Sequence, residues 1–135
     1  MGRSIKAYKN LDFLNSSAAR TIRIMCEYED PKRRFLEQGV SDTVVLFGSA
    51  RTLPKVVAQA QLAEAEEALS TGSGSEDAVK MAKGKLASSR YYEDARTFGR
   101  EITEWSMRRD SERDYLVCTG GGPGIMEAGN RGAAD

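Results

Sequence analysis

Two short apolar runs, each stopped abruptly by glycine, constrain this chain more than any other feature. Residues 43–47 read Thr-Val-Val-Leu-Phe and residues 115–118 read Tyr-Leu-Val-Cys. Continuous runs of this length, rich in β-branched and aromatic types, are the pattern of strands covered on both faces in a parallel sheet. The first ends in Gly48-Ser49-Ala50-Arg51, the second in Thr119-Gly120-Gly121-Gly122-Pro123-Gly124-Ile125-Met126-Glu127. Thr52 as a cap and Pro54 in the first turn predict a helix over 54–69, and a small-residue helix is predicted from the second glycine loop to the last residue, Asp135. Strands separated by helices are joined by right-handed crossovers and run parallel. Both glycine loops are therefore expected at one edge of the sheet, outside the carboxyl ends of the strands, where open α/β sheets bind ligands.

The rest of the chain reads as helices and connections. Leu11, Leu14, Ala18, Ile22 and Met25 recur at steps of three and four, predicting a helix over 11–28 that Asn10 or Asp12 caps and Pro31 stops. Residues 31–34, Pro-Lys-Arg-Arg, read as a solvated connection. Residues 71–75, Thr-Gly-Ser-Gly-Ser, are flexible in composition but too short to separate independent domains, so a surface loop is expected. Tyr91, Ala95, Phe98, Ile102 and Trp105 line a narrow stripe on a predicted helix over 88–109, with Arg100/Glu104 and Glu104/Arg108 as i,i+4 pairs elsewhere on it. That stripe is expected to pack against the sheet or against another subunit rather than to serve a cofactor.

Charge and composition exclude several functions. Twenty Lys+Arg balance twenty Asp+Glu, and the pI is about 6.4, so there is no basic excess to hold a phosphate backbone or an anionic membrane. No nucleic-acid partner and no membrane partner are expected. Apolar runs fall short of a bilayer span and no signal-peptide pattern opens the chain, which predicts a cytoplasmic protein. Cys26 and Cys118 form no ligand cluster and are expected as buried, reduced thiols, so neither a metal site nor a disulfide is predicted. The chain has no histidine, which removes every triad, zinc site or proton shuttle that needs an imidazole.

The loops carry the chemistry that remains. Gly120, Gly121 and Gly122 remove three side chains and let a ligand approach the backbone. Pro123 is suited to the first helical position, and the N–H groups of Gly124 and Ile125 are then expected to face the crevice, where phosphate or a sugar oxygen would be favoured. Gly48 and Ser49 supply a second small-residue loop at the same edge. Residues 122–127 match GxGxxG in two glycines but carry Glu127 at the third, so a dinucleotide fingerprint fails, and no GxxxxGK[ST] is present. Glu127 either stabilises the first helical turn or accepts from ribose hydroxyls, since it would repel a phosphate placed on that turn. Arg51 offers either a bidentate anion contact or an ordinary surface ion pair.

Gly48-Ser49-Ala50-Arg51 after the first run, together with the Thr119-Gly-Gly-Gly-Pro-Gly-Ile-Met-Glu-Ala-Gly-Asn-Arg-Gly-Ala133 stretch after the second, resemble the LOG family of Rossmann-like hydrolases, long labelled lysine-decarboxylase-like. The resemblance spans about residues 11–135. It implies an α/β fold with a Rossmann-like parallel sheet flanked by helices, with residues 1–40 as an N-terminal helical extension and 41–135 as the first half of the nucleotide-binding domain. It implies cleavage of the N-glycosidic bond of AMP-like nucleoside 5′-monophosphates to base and ribose 5-phosphate, without a cofactor, in a homodimer or larger homo-oligomer. Carried onto this sequence, the nucleotide-binding residues are Gly48, Ser49, Arg51, Gly120, Gly121, Gly122 and Gly124, with Met126 and Glu127 at the border. The family's second signature, PGGxGTxxE, occurs nowhere in the 135 residues, and its catalytic arginine has no counterpart. The expectation is therefore an inactive N-terminal half, truncated after its second strand, with no catalytic residue among those present. Two other functions remain open: a non-catalytic nucleotide-binding or sensing module, and a structural helical dimerisation unit. Pyridoxal-phosphate chemistry, the older label, has no Schiff-base lysine that can be placed here.

Overall fold

A computed structural model describes residues 5–109 and 114–135. The described chain is a mixed α/β structure, mostly helical, and its residues group into two units, Met1–Ser41 and Asp42–Asp135.

In the first unit, α1 (Leu11–Asn15) is capped by Asn10, whose Oδ1 accepts the Phe13 N–H at 3.1 Å. The single helix expected over 11–28 is broken. At Ser16 the backbone turns extended, a 3-10 turn follows at Ser17–Ala19, and α2 (Arg20–Glu37) begins. The break is held by side chains. The Ser16 hydroxyl donates to Phe13 O, and the Arg23 guanidinium donates to Leu14 O and Ser16 O, each at 2.6 Å, so that side chains supplement the backbone hydrogen bonds at the junction. Pro31, expected from the sequence to stop the helix, lies inside α2 instead. The charged residues around it are helical, not a connection: Asp30 accepts from Arg33 at 2.9 Å and Arg34 at 2.7 Å, and Arg33 also pairs with Glu37. These pairs tie together the turns that follow the proline, the residue that removes a backbone donor from the helix.

Arg33 and Arg34 hold the Asp30 carboxyl below its ordinary value of 3.8. A depressed acid stabilises the fold above its unfolded value and loses that contribution as pH falls through its folded one. Circular dichroism is therefore expected to show a small part of the helix signal lost as pH falls below 3.8, and Asp30→Asn is expected to lower helicity slightly at neutral pH and flatten this acid limb.

The second unit begins with β1 (Asp42–Leu46), followed by α3 (Lys55–Ser70), α4 (Glu76–Ser88), α5 (Arg90–Met107), β2 (Tyr115–Thr119) and α6 (Ile125–Ala134). β1 and β2 pair in parallel, Thr43 opposite Leu116 and Val45 opposite Cys118. Among the described residues this is the whole sheet. The expectation of strands covered on both faces is corrected. Burial alternates along β1, with Leu46 set against α6, while Val45 is 68% exposed and Phe47, beyond the strand end, 87%. α5 and α6 cover one face. A continuous apolar run permits two covered faces but does not supply the second cover.

Helix α3 starts at Lys55, so that Pro54 precedes the first turn instead of occupying it, and the buried Thr52 does not cap it. The Lys55 N–H is taken instead by Glu93 Oε1 of α5 at 2.9 Å, a cap from a distant element. Residues 71–75 form a tight helix-ending turn in which the Ser73 and Gly74 N–H groups both donate to Ala68 O. Ser75 then caps α4 through Ala78 N–H. The hydrophobic pattern does not announce α4, whose buried apolar residues are only Val79 and Ala82.

The expected stripe of α5 is not its packing line against the sheet. Tyr91, Phe98 and Trp105 stay 51%, 43% and 45% exposed, whereas Tyr92, Gly99 and Ser106 are buried. The line is shifted by one residue because α6 lies on the glycines. A side chain at Gly99 would collide with the Gly129 carbonyl, and one at Gly132 with the Arg96 carbonyl. Backbone meets backbone at this crossing, so bulky residues are excluded from it. Near the end of α5, Ser106 Oγ accepts the Tyr115 N–H at 2.7 Å. The Trp105 and Tyr115 rings lie 5.5 Å apart, and the Arg109 guanidinium stacks over both. The thiols also depart from expectation: Cys26 is exposed and Cys118 only half-buried. No helix among the described residues is long and apolar enough to cross a membrane.

Candidate functional site: a cleft beside the glycine loop

Parallel pairing brings the ends of β1 and β2 to one edge, and the two small-residue loops touch there. Gly124, with φ +75°, precedes α6 and is buried. A side chain at this position would strike the Ser49 carbonyl and lie 2.9 Å from Ala50 backbone atoms, and a Cβ on Gly48 would lie 2.7 Å from the Ile125 side chain. The Ile125 N–H donates to Ser49 O at 3.1 Å. This corrects two expectations: the Ile125 N–H serves the loop junction rather than the crevice, and Pro123 lies outside α6, which begins at Ile125.

The glycine loop is held from β2. Thr119 Oγ1 accepts the Gly121 N–H at 3.0 Å and donates to Asn130 Oδ1 at 3.0 Å. Gly121 adopts φ +70°, a conformation that suits glycine. Beside this loop lies an open cleft of about 420 Å³, lined by Gly121, Gly122, Pro123, Glu127, Asn130, Arg131 and Ala134. Arg131 Nη1 is 3.4 Å from Glu127 Oε1 and donates to the Tyr92 hydroxyl at 3.3 Å. The Tyr92 contact and, less strongly, Glu127 raise the Arg131 pKa, so its charge is permanent.

The expected binding residues separate into groups. Gly121, Gly122 and Glu127 line the cleft. Gly48, Ser49 and Gly124 form the junction that positions it. Met126 lies under the glycine run, its Sδ 3.5 Å from where a Cβ on Gly120 would sit. Arg51 is exposed, its backbone N–H donating to Ser49 Oγ at 3.2 Å, and it does not line the cleft. Asn130 and Arg131 do line it. They follow Glu127 by three and four residues, the spacing of a shared helix face, and that spacing is the signal by which the sequence could have found them. Among the described residues no group of three or more His, Cys, Asp or Glu is placed to hold a metal.

The fold and cleft define a parallel α/β unit with a glycine-loop cleft whose polar side chains are a carboxylate, a carboxamide and a guanidinium. No family model, curated protein or solved structure matches the chain.

Proposed function

We propose that residues 42–135 are the nucleotide-binding part of a LOG-like, Rossmann-type phosphoribohydrolase that takes an AMP-like nucleoside monophosphate. The observation that supports this reading most is the docking of Ser49 O on the Ile125 N–H, at 3.1 Å, which joins both glycine loops beside one cleft at the strand ends. The open face carrying Val45 and Leu116, and a sheet of only two described strands, suit a larger parallel sheet of which this is the first half. In this reading the cleft binds and orients the nucleotide. A carboxylate outside the present residues assists water or stabilises the oxocarbenium-like state.

A second reading, a binding module without turnover, is favoured by the pairing of Glu127, the single carboxylate lining the cleft, with Arg131. Isothermal titration of the 135-residue chain with AMP tests the binding that both readings share, and an adenine-release assay accompanies it. Saturable binding without adenine release is expected, and Gly121→Val is expected to abolish the binding because valine does not tolerate φ +70°. Absence of AMP binding by the folded chain overturns both readings.

A further inference from the structure

Resting on the nucleotide reading, we infer that Asn130 and Glu127 together read the vicinal diol of a ribose, so that the cleft selects ribonucleotides over 2′-deoxyribonucleotides. Thr119 has one hydroxyl proton. Its oxygen accepts the Gly121 N–H on one lone pair, and its proton is given to Asn130 Oδ1. The contact turns the carboxamide oxygen toward Thr119 and occupies one of its lone pairs, so that Asn130 offers the cleft it lines its Nδ2 donor pair. Glu127, three residues earlier on the same helix, is the complement, an acceptor only. Arg131 lies 3.4 Å from its Oε1, which leaves Oε2 for a ligand. Residues at this spacing lie roughly 5–6 Å apart at Cβ. A donor and an acceptor so placed match two adjacent hydroxyls, one accepting from Asn130 while both donate toward Glu127. A phosphate suits this pair poorly, because it brings no proton for the carboxylate.

Thr119 is a positioning residue in this scheme, setting both the loop and the amide orientation. The test is titration of the 135-residue chain with AMP, 2′-deoxy-AMP, ribose 5-phosphate and 2-deoxyribose 5-phosphate, with circular dichroism to follow folding. The ribose forms are expected to bind roughly fivefold to tenfold more tightly, the yield of one hydrogen bond in an open cleft. Asn130→Ala and Glu127→Gln are expected to weaken AMP binding toward that of 2′-deoxy-AMP, which erases the preference. Thr119→Ser, which keeps the hydroxyl, is expected to retain it, and Thr119→Val to lose it. Equal affinity for AMP and 2′-deoxy-AMP overturns the inference and leaves the nucleotide reading standing. Failure of both to bind overturns that reading and the inference with it. Retention of the preference in folded Asn130→Ala and Glu127→Gln removes the roles assigned to these side chains.

Discussion

Gly132→Ala is expected to destabilise the chain by about 3 kcal/mol, the upper end of ordinary overpacking costs. Alanine is otherwise the better helix former, by about 1 kcal/mol, so helix propensity alone predicts the opposite sign. The reason for the reversal is the crossing of α5 and α6. The atom that a Cβ at Gly132 would meet is the Arg96 carbonyl oxygen, with the Arg100 backbone nitrogen 3.0 Å away. Neither is the end of a flexible side chain, so the helices must separate. That separation loosens the cover over Leu46 and the burial of Tyr92. Gly84→Ala in α4 is the matched control: nothing lies within 4 Å of its Cβ position, and a gain of about 0.5–1 kcal/mol is expected there. Urea unfolding of the two variants measures the difference directly. If Gly132→Ala is as stable as the parent chain, the two helices do not meet backbone to backbone.

Gly124→Ala is expected to have the second largest effect, and to act on binding as well as stability. Its backbone, φ +75° and ψ −126°, belongs to glycine, and forcing a side chain into such a region costs about 1–3 kcal/mol before any collision is counted. The collision falls on Ser49 O, the acceptor of the Ile125 N–H. Relief of the clash therefore parts the two loops. Reduced thermal stability is expected together with loss of saturable AMP binding at temperatures where circular dichroism still reports the native helix content. Undiminished AMP affinity in this variant shows that the loop junction does not position the cleft.

Much of the site's location was legible in the residues. Two apolar runs closed by glycine announce strands and their loops, and parallel pairing follows from the helices between them. The partners of each backbone donor were not legible. That Ile125 donates to Ser49, or Lys55 to Glu93, depends on elements 76 and 38 residues away in sequence being brought together. Asn130 and Arg131 share the face of Glu127 by spacing alone, but that this face borders the cleft depends on how α6 packs on α5 and the sheet, which no local pattern encodes.

The helices show the same division. The periodicity of Tyr91, Phe98 and Trp105 is genuine, and α5 forms, but hydrophobic spacing reports which face could be buried, not which face is. Backbone contact through Gly99, Gly129 and Gly132 turns Tyr92, Gly99 and Ser106 inward instead, because a helix without side chains approaches closer than any apolar stripe allows. Pro31 is comparable: its local rule ends a helix, yet it lies inside α2, where the Asp30, Arg33, Arg34 and Glu37 pairs tie the turns that follow it. By itself the sequence determined the elements encoded locally, the α/β alternation, the two glycine turns and the absence of imidazole chemistry. Tertiary structure alone decided which carbonyl caps which helix, which face of each element is covered, and which side chains share the cleft, because each depends on distances between residues that no local pattern encodes.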